Sequence, residues 1–163
     1  MSEPGDQAAG ADLNVLKAPL PSRHEQDRFR QLRYQLLGYA TALGVLITLT
    51  PTWLIREYSR GYLQLHSGFG MMREARILGS AANWLFILYL VVCLVALAAP
   101  ATIAAFACAY AGLVDTVVIV LLKPGGDEGT DIGWTGAPFL AIGLWLVLAV
   151  VNHVGWYDLN RRG

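Results

Sequence analysis

The sequence predicts an all-α, polytopic membrane protein: a four-transmembrane-helix bundle with a short interfacial segment between helices 1 and 2. Three observations lead there. Charge is scarce, since 55% of the 163 residues are hydrophobic and only 15% charged, against about 25% charged in an ordinary soluble domain. The shortage is concentrated in long apolar blocks. Inside those blocks small residues recur at every fourth position, the spacing that lets helix backbones approach closely in lipid. Finally, Pro100 parts two long apolar stretches with almost no linker, which makes them antiparallel neighbours.

Taken in order, residues 1–21 hold Gly, Ala, Asp, Pro and Ser with few large apolar side chains, the composition of a disordered polar tail. Ser22-Arg-His-Glu25 matches the capping box that starts a helix. A basic amphipathic lead-in helix over 22–35 follows, carrying Arg23, Arg28, Arg30 and Arg33. So long a polar lead-in is unlike a cleaved signal peptide, and the first span is expected to stay as an anchor.

The membrane domain covers 36–158, with spans at about 36–55, 78–98, 101–122 and 134–157. In the first, Gly38 with Ala42 and Ala40 with Gly44 form two small pairs, and Pro51 predicts a kink or a local end. Residues 56–76 are too polar to span. Tyr58, Tyr62, Leu65, Phe69 and Met72 fall at helical spacing there, which suggests an interfacial helical segment, with a plain covering loop as the alternative.

The third span, Ala101 to Leu122, has a bulky face of Ile103, Phe106, Tyr110, Val114, Val117 and Leu121. Opposite it stands a small face of Ala104, Cys108, Ala111, Gly112 and Asp115, with Ala101, Ala105 and Ala109 beside it, and this face is expected to meet other helices. Lys123 to Asp131 reads as an acidic, glycine-rich loop. Trp134 and the Trp156-Tyr157 pair mark the two ends of the fourth span, where aromatic belts form. Residues 159–163 are a short basic tail.

Four spans put both termini on one side. That side carries Lys17, Arg23, Arg28, Arg30, Arg33, Arg161 and Arg162; the other carries Arg56, Arg60, Arg73, Arg76 and Lys123. The basic excess places both termini in the cytoplasm of a multi-pass protein of the cell (plasma or inner) membrane.

The motifs exclude more than they suggest. Twelve basic and 12 acidic residues cancel, so no overall field argues for nucleic acid. No Gly-x-Ser-x-Gly, phosphate-binding loop or His-Glu-x-x-His occurs, and no catalysis is expected. His66 and His153 fall at opposite ends of the spans and His24 in the lead-in helix, which excludes a haem held by two histidines of one copy. Cys93 and Cys108 lie inside spans without a companion at metal-ligand spacing and are read as packing residues. Asp127, Glu128 and Asp131 read as a solvated turn rather than a cation site. Neither a metal nor a cofactor is expected.

Asp115 is the exception. An ionisable group inside a span costs about 2.5–3.5 kcal/mol on insertion scales and therefore marks a candidate site. By helical rise Asn83, Thr48 and Thr50 lie at comparable depth, so a polar cluster of Asp115, Asn83, Thr48 and Thr50 is feasible. It serves either as a proton or cation site or as interhelical glue with Asp115 uncharged. The functional expectation is a small non-enzymatic protein acting by contact, as an accessory, assembly or scaffold subunit. Its partners are the lipid bilayer and other membrane subunits or further copies of itself, and the four arginines contact a partner or anionic lipid. The alternative is a small homo-oligomeric proton- or cation-coupled transporter using Asp115.

Overall fold

A computed structural model describes residues 23–73, 80–122 and 130–161. The expected disordered tail, Ser22 of the capping box, the start of the second span at Leu78, most of the acidic loop and the last two residues lie outside them. The described chain is mostly helical and carries a small three-stranded sheet that the sequence reading lacks. Its elements are α1 (Arg23–Ile47), β1 (Thr52–Tyr58), β2 (Leu63–Ser67), α2 (Gly68–Arg73), α3 (Ser80–Ala98), α4 (Ile103–Leu121), β3 (Thr130–Trp134) and α5 (Ala137–Asn160). Helices α4 and α5 are each long and apolar enough to cross a membrane, whereas the apolar run of α3 is shorter, Asn83–Ala98.

Two compact units divide the chain, residues 1–30 and 31–163. Of the first, the start of α1 is described, with Arg28, Phe29 and Arg30 exposed. The second unit holds everything below.

Helix α1 ends earlier than the expected first span. After Ile47 the chain tightens into a turn in which Leu49 N–H donates to Leu46 O and Thr50 N–H to Ile47 O. Two threonine hydroxyls take up carbonyls freed there, Thr48 to Val45 O at 2.6 Å and Thr50 to Ile47 O at 2.8 Å. Pro51 lacks an N–H and cannot continue the ladder, so the local end expected at this proline is what forms. Thr52 to Ile55, read as the end of the span, are strand.

Of the segment expected as an interfacial helix, residues 56–67 belong instead to a β-hairpin, while 68–73 are helical. β1 pairs antiparallel with β2 on one edge and with β3 on the other, in the order β2-β1-β3. Gly61, at φ +78°, makes the turn between Tyr58 and Tyr62. The helical spacing of Tyr58, Tyr62, Leu65 and Phe69 is a coincidence of counting: Tyr62 and Leu65 stand exposed on the hairpin. Pairing shifts by one residue between Thr52 and Leu54, and the extra residue, Trp53, is fully buried. β2 passes directly into a helix, α2, whose Gly68 sits against the Leu49 backbone where a Cβ would meet Cα and O at 3.1 Å.

The second edge comes from a region read as loop and span. β3 ends at Trp134, and the last helix begins three residues later than expected, at Ala137. Thr135 makes the junction: its hydroxyl bonds to Thr52 O and accepts from Ala137 N–H. At the far end α5 continues through Asn160, so the expected basic tail is helical at its start.

Helices α3 and α4 pack as adjacent partners, as the Pro100 junction predicts, and α4 also packs on α5. The turn between α3 and α4 is held from outside. Ala101 adopts φ +62°, and its N–H donates to Asn152 Oδ1 of α5 at 2.9 Å. Thr102 caps α4, accepting from Ala105 N–H. Gly38 of α1 lies against Pro100 and Asn152, Gly44 against Leu144, and the Cys93 thiol donates to Ala42 O. Of the two small pairs on α1, Gly38 and Ala42 are buried, while Ala40 is exposed.

Candidate functional site

An aromatic cluster forms the core beneath the sheet. Trp53 of β1 meets Phe86 and Tyr89 of α3 edge-on at 5.3 and 5.8 Å between centroids, and Tyr89 meets Trp145 of α5 at 5.4 Å. All four rings are fully buried. The polar tips find partners at the end of α1: Trp53 Nε1 donates to Thr48 O, and the Tyr89 hydroxyl lies 2.9 Å from Thr48 Oγ1 and 3.1 Å from Val45 O. Aromatic partners of this kind are absent from the sequence reading. Only Gly112 hinted at them, because a residue without a Cβ is what the indole of Trp145 requires there: any Cβ on Gly112 would overlap its six-membered ring.

That contact sets the rotation of α4. Its buried residues are Ala105, Ala109, Gly112, Asp115, Thr116 and Ile119. Gly112 and Asp115 face inward as expected, but Ala104 and Ala111 are exposed and Cys108 is half-buried. The inward stripe is thus centred beside the predicted one, on the alanines placed next to it. Of the expected bulky face, Ile103, Tyr110, Val114, Val117 and Leu121 are exposed, while Phe106 is half-buried against His153.

Asp115 is 4% exposed, and neither carboxylate oxygen has a hydrogen-bond partner among the described residues. It underlies an apolar groove of about 440 Å³ on the outside of the α3–α4 pair, lined also by Leu85, Leu88, Tyr110, Ala111, Val114 and Val118. Two other members of the expected cluster, Thr48 and Thr50, are engaged elsewhere. Thr48 is buried and bonded to Tyr89 and Val45; Thr50 is exposed and bonded to Ile47 O. Asn83 is half-buried, its Oδ1 unpartnered among the described residues, as is Trp145 Nε1. No hydrogen bond joins Asp115 to Asn83, Thr48 or Thr50.

The remaining candidates stand apart. Arg28, Arg30 and Arg33 are exposed along α1, and Arg23 opens that helix. His66 is buried in β2 opposite Leu54. His153 sets its ring 5.1 Å from that of Phe106. Cys93 and Cys108 are free thiols. Asp127 and Glu128 lie outside the described residues, and Asp131 is exposed on β3 opposite Glu57.

Chemically, a buried carboxyl without a donor is costly, and most native groups of this kind are satisfied by something. Here the groove above it is lined by aliphatic side chains and Tyr110. No protein-family model, curated protein or solved structure matches the chain significantly.

Proposed function

We propose that this chain is a multi-pass protein of the cell (plasma or inner) membrane that crosses the bilayer four times, on α1, α3, α4 and α5. It works by contact, as an accessory, assembly or scaffold subunit without catalysis. Leu94, Val114, Leu140 and Val150 are large aliphatic residues half or more exposed on three of these helices, the surface a lipid-facing helix presents. The sheet joins the exit of α1 to the entrance of α5, so the chain shuttles between a sheet end and an end holding the Pro100 turn. Both termini then share the turn end, which the basic excess puts in the cytoplasm.

One observation carries the contact reading: the unpartnered carboxyl of Asp115 lies under a groove on the outer surface, while the space among α1, α3 and α5 is filled by buried aromatic rings. A buried polar group beneath an opening in an apolar surface favours a partner helix that brings a hydrogen-bond donor. A transport site would need a path through the molecule. The alternative, a homo-oligomeric proton- or cation-coupled transporter, uses the same residue and is separated by substitution. Asparagine keeps an acceptor and a donor at position 115, as a carboxylic acid does, but binds no transferable proton. The contact reading expects Asp115→Asn to keep cellular function and Asp115→Leu to lose it; loss of function in a normally folded Asp115→Asn protein selects transport instead. Orientation is tested by single cysteines at Ser2 and Gly126. Only the second is expected to react with an impermeant reagent added outside the cell, and labelling at Ser2 reverses the topology.

A further inference from the structure

We propose that the α3–α4 groove is the self-association surface of this chain, occupied by a second copy whose Trp84 indole enters the groove and donates its N–H to Asp115. The proposal rests on the membrane reading above and adds the partner to it. Lipid tails cannot satisfy a carboxyl, so whatever covers the groove brings a hydrogen-bond donor. The chain itself displays one beside the groove. Trp84 is 69% exposed, and it lies one turn from Leu88, which lines the groove, along the outward stripe Trp84, Leu88, Val91 and Val95. Its indole N–H has no hydrogen-bond partner among the described residues.

Depth agrees as well. Trp84 stands four residues into α3 and Asp115 six residues from the end of α4, both counted from the sheet end. At about 1.5 Å per residue these are depths of roughly 6 and 9 Å, within the reach of an indole side chain. Acceptor and donor therefore sit at one level, Asp115 beneath the groove and Trp84 exposed beside it. Two copies related by a two-fold axis along the membrane normal pair them twice, Trp84 of each with Asp115 of the other, in a self-complementary contact. The carboxyl oxygens lie just beneath the groove floor, and the incoming indole reaches them by moving the flexible ends of Leu85 and Leu88 aside.

The full chain, carrying donor or acceptor fluorophores on its N-terminus, is reconstituted in phosphatidylcholine–phosphatidylglycerol vesicles at decreasing protein-to-lipid ratio, and energy transfer between copies is read. The expected result is a dimer that Asp115→Leu and Trp84→Phe each weaken about tenfold. The double variant is expected to be no weaker than the worse single one, because the two act through one bond. Asp115→Asn, which keeps the acceptor, is expected to stay within a few-fold of the native chain. Trp84 is exposed, so Trp84→Phe tests the contact even where an Asp115 variant folds poorly. A monomer at every ratio overturns the proposal, as does a dimer indifferent to Trp84→Phe, or a foreign protein held stoichiometrically at the groove. Release of the chain from vesicles by alkaline carbonate would instead overturn the membrane reading itself.

Discussion

The helices α3, α4 and α5 and the three-stranded sheet solve the same problem, satisfying the backbone, over very different distances. In the helices every interior N–H finds its carbonyl four residues back, so apolar residues can cover both sides. Ala109 and Leu148 face inward while Val114 and Val150 face out, and polarity does not separate them. Side-chain size does: the inward side of α4 is Ala105, Ala109 and Gly112, which lets Trp145 press against the backbone. In the sheet the partners are remote. Leu54 pairs with Trp134, and the Thr135 hydroxyl bonds to Thr52 O, 83 residues away in the chain. The lesson is that helical packing here depends on the volume of single residues, and the sheet on the coincidence of distant backbones.

The most severe test of that contrast is Trp145→Ala. It removes a fully buried ring that contacts Tyr89 and fills the space at Gly112. It is expected to cost about 3–5 kcal/mol, read by denaturant unfolding in detergent; a loss as small as that of an exposed leucine would break the claim that volume governs the helices. Thr135→Val keeps the shape of the junction but deletes the bonds to Thr52 O and Ala137 N–H. A cost of about 1–2 kcal/mol is expected, with hydrogen exchange quickening in β1 and β3 and unchanged in α4. Exchange that rises equally in both regions would mean that they open as one unit. The smallest effect belongs to the α3–α4 turn. Ala101 holds φ +62°, a left-handed conformation costly for any residue with a Cβ. Ala101→Gly is therefore expected to raise stability, by less than about 1 kcal/mol after the added chain entropy of glycine. Thermal unfolding that shifts downward instead would show that this turn does not hold the conformation described.

Much of the helical layer was legible because its determinants are local. The Pro100 junction predicts adjacent α3 and α4, Pro51 with its two threonines predicts the end of α1, and the bulky stripe from Ile103 to Leu121 predicts the exposed side of α4. Asp115 was visible as the lone acid of an apolar block, and its burial follows from its place beside Gly112. The hairpin was not legible. Its aromatic and leucine residues also fit a helical count, and nothing local says that Ile55 will lie between Leu65 and Gly133. Nor could the sequence reading find Thr48 committed to Tyr89, or the indole of Trp145 seated on Gly112, since each joins residues 33 or more positions apart. By itself the sequence determined where the long apolar helices lie, because hydrogen bonding and side-chain period are properties of neighbours along the chain. Only the tertiary structure decided which strand pairs, which face of α4 turns inward and that Asp115 lies beneath a groove, because those depend on which distant surfaces meet.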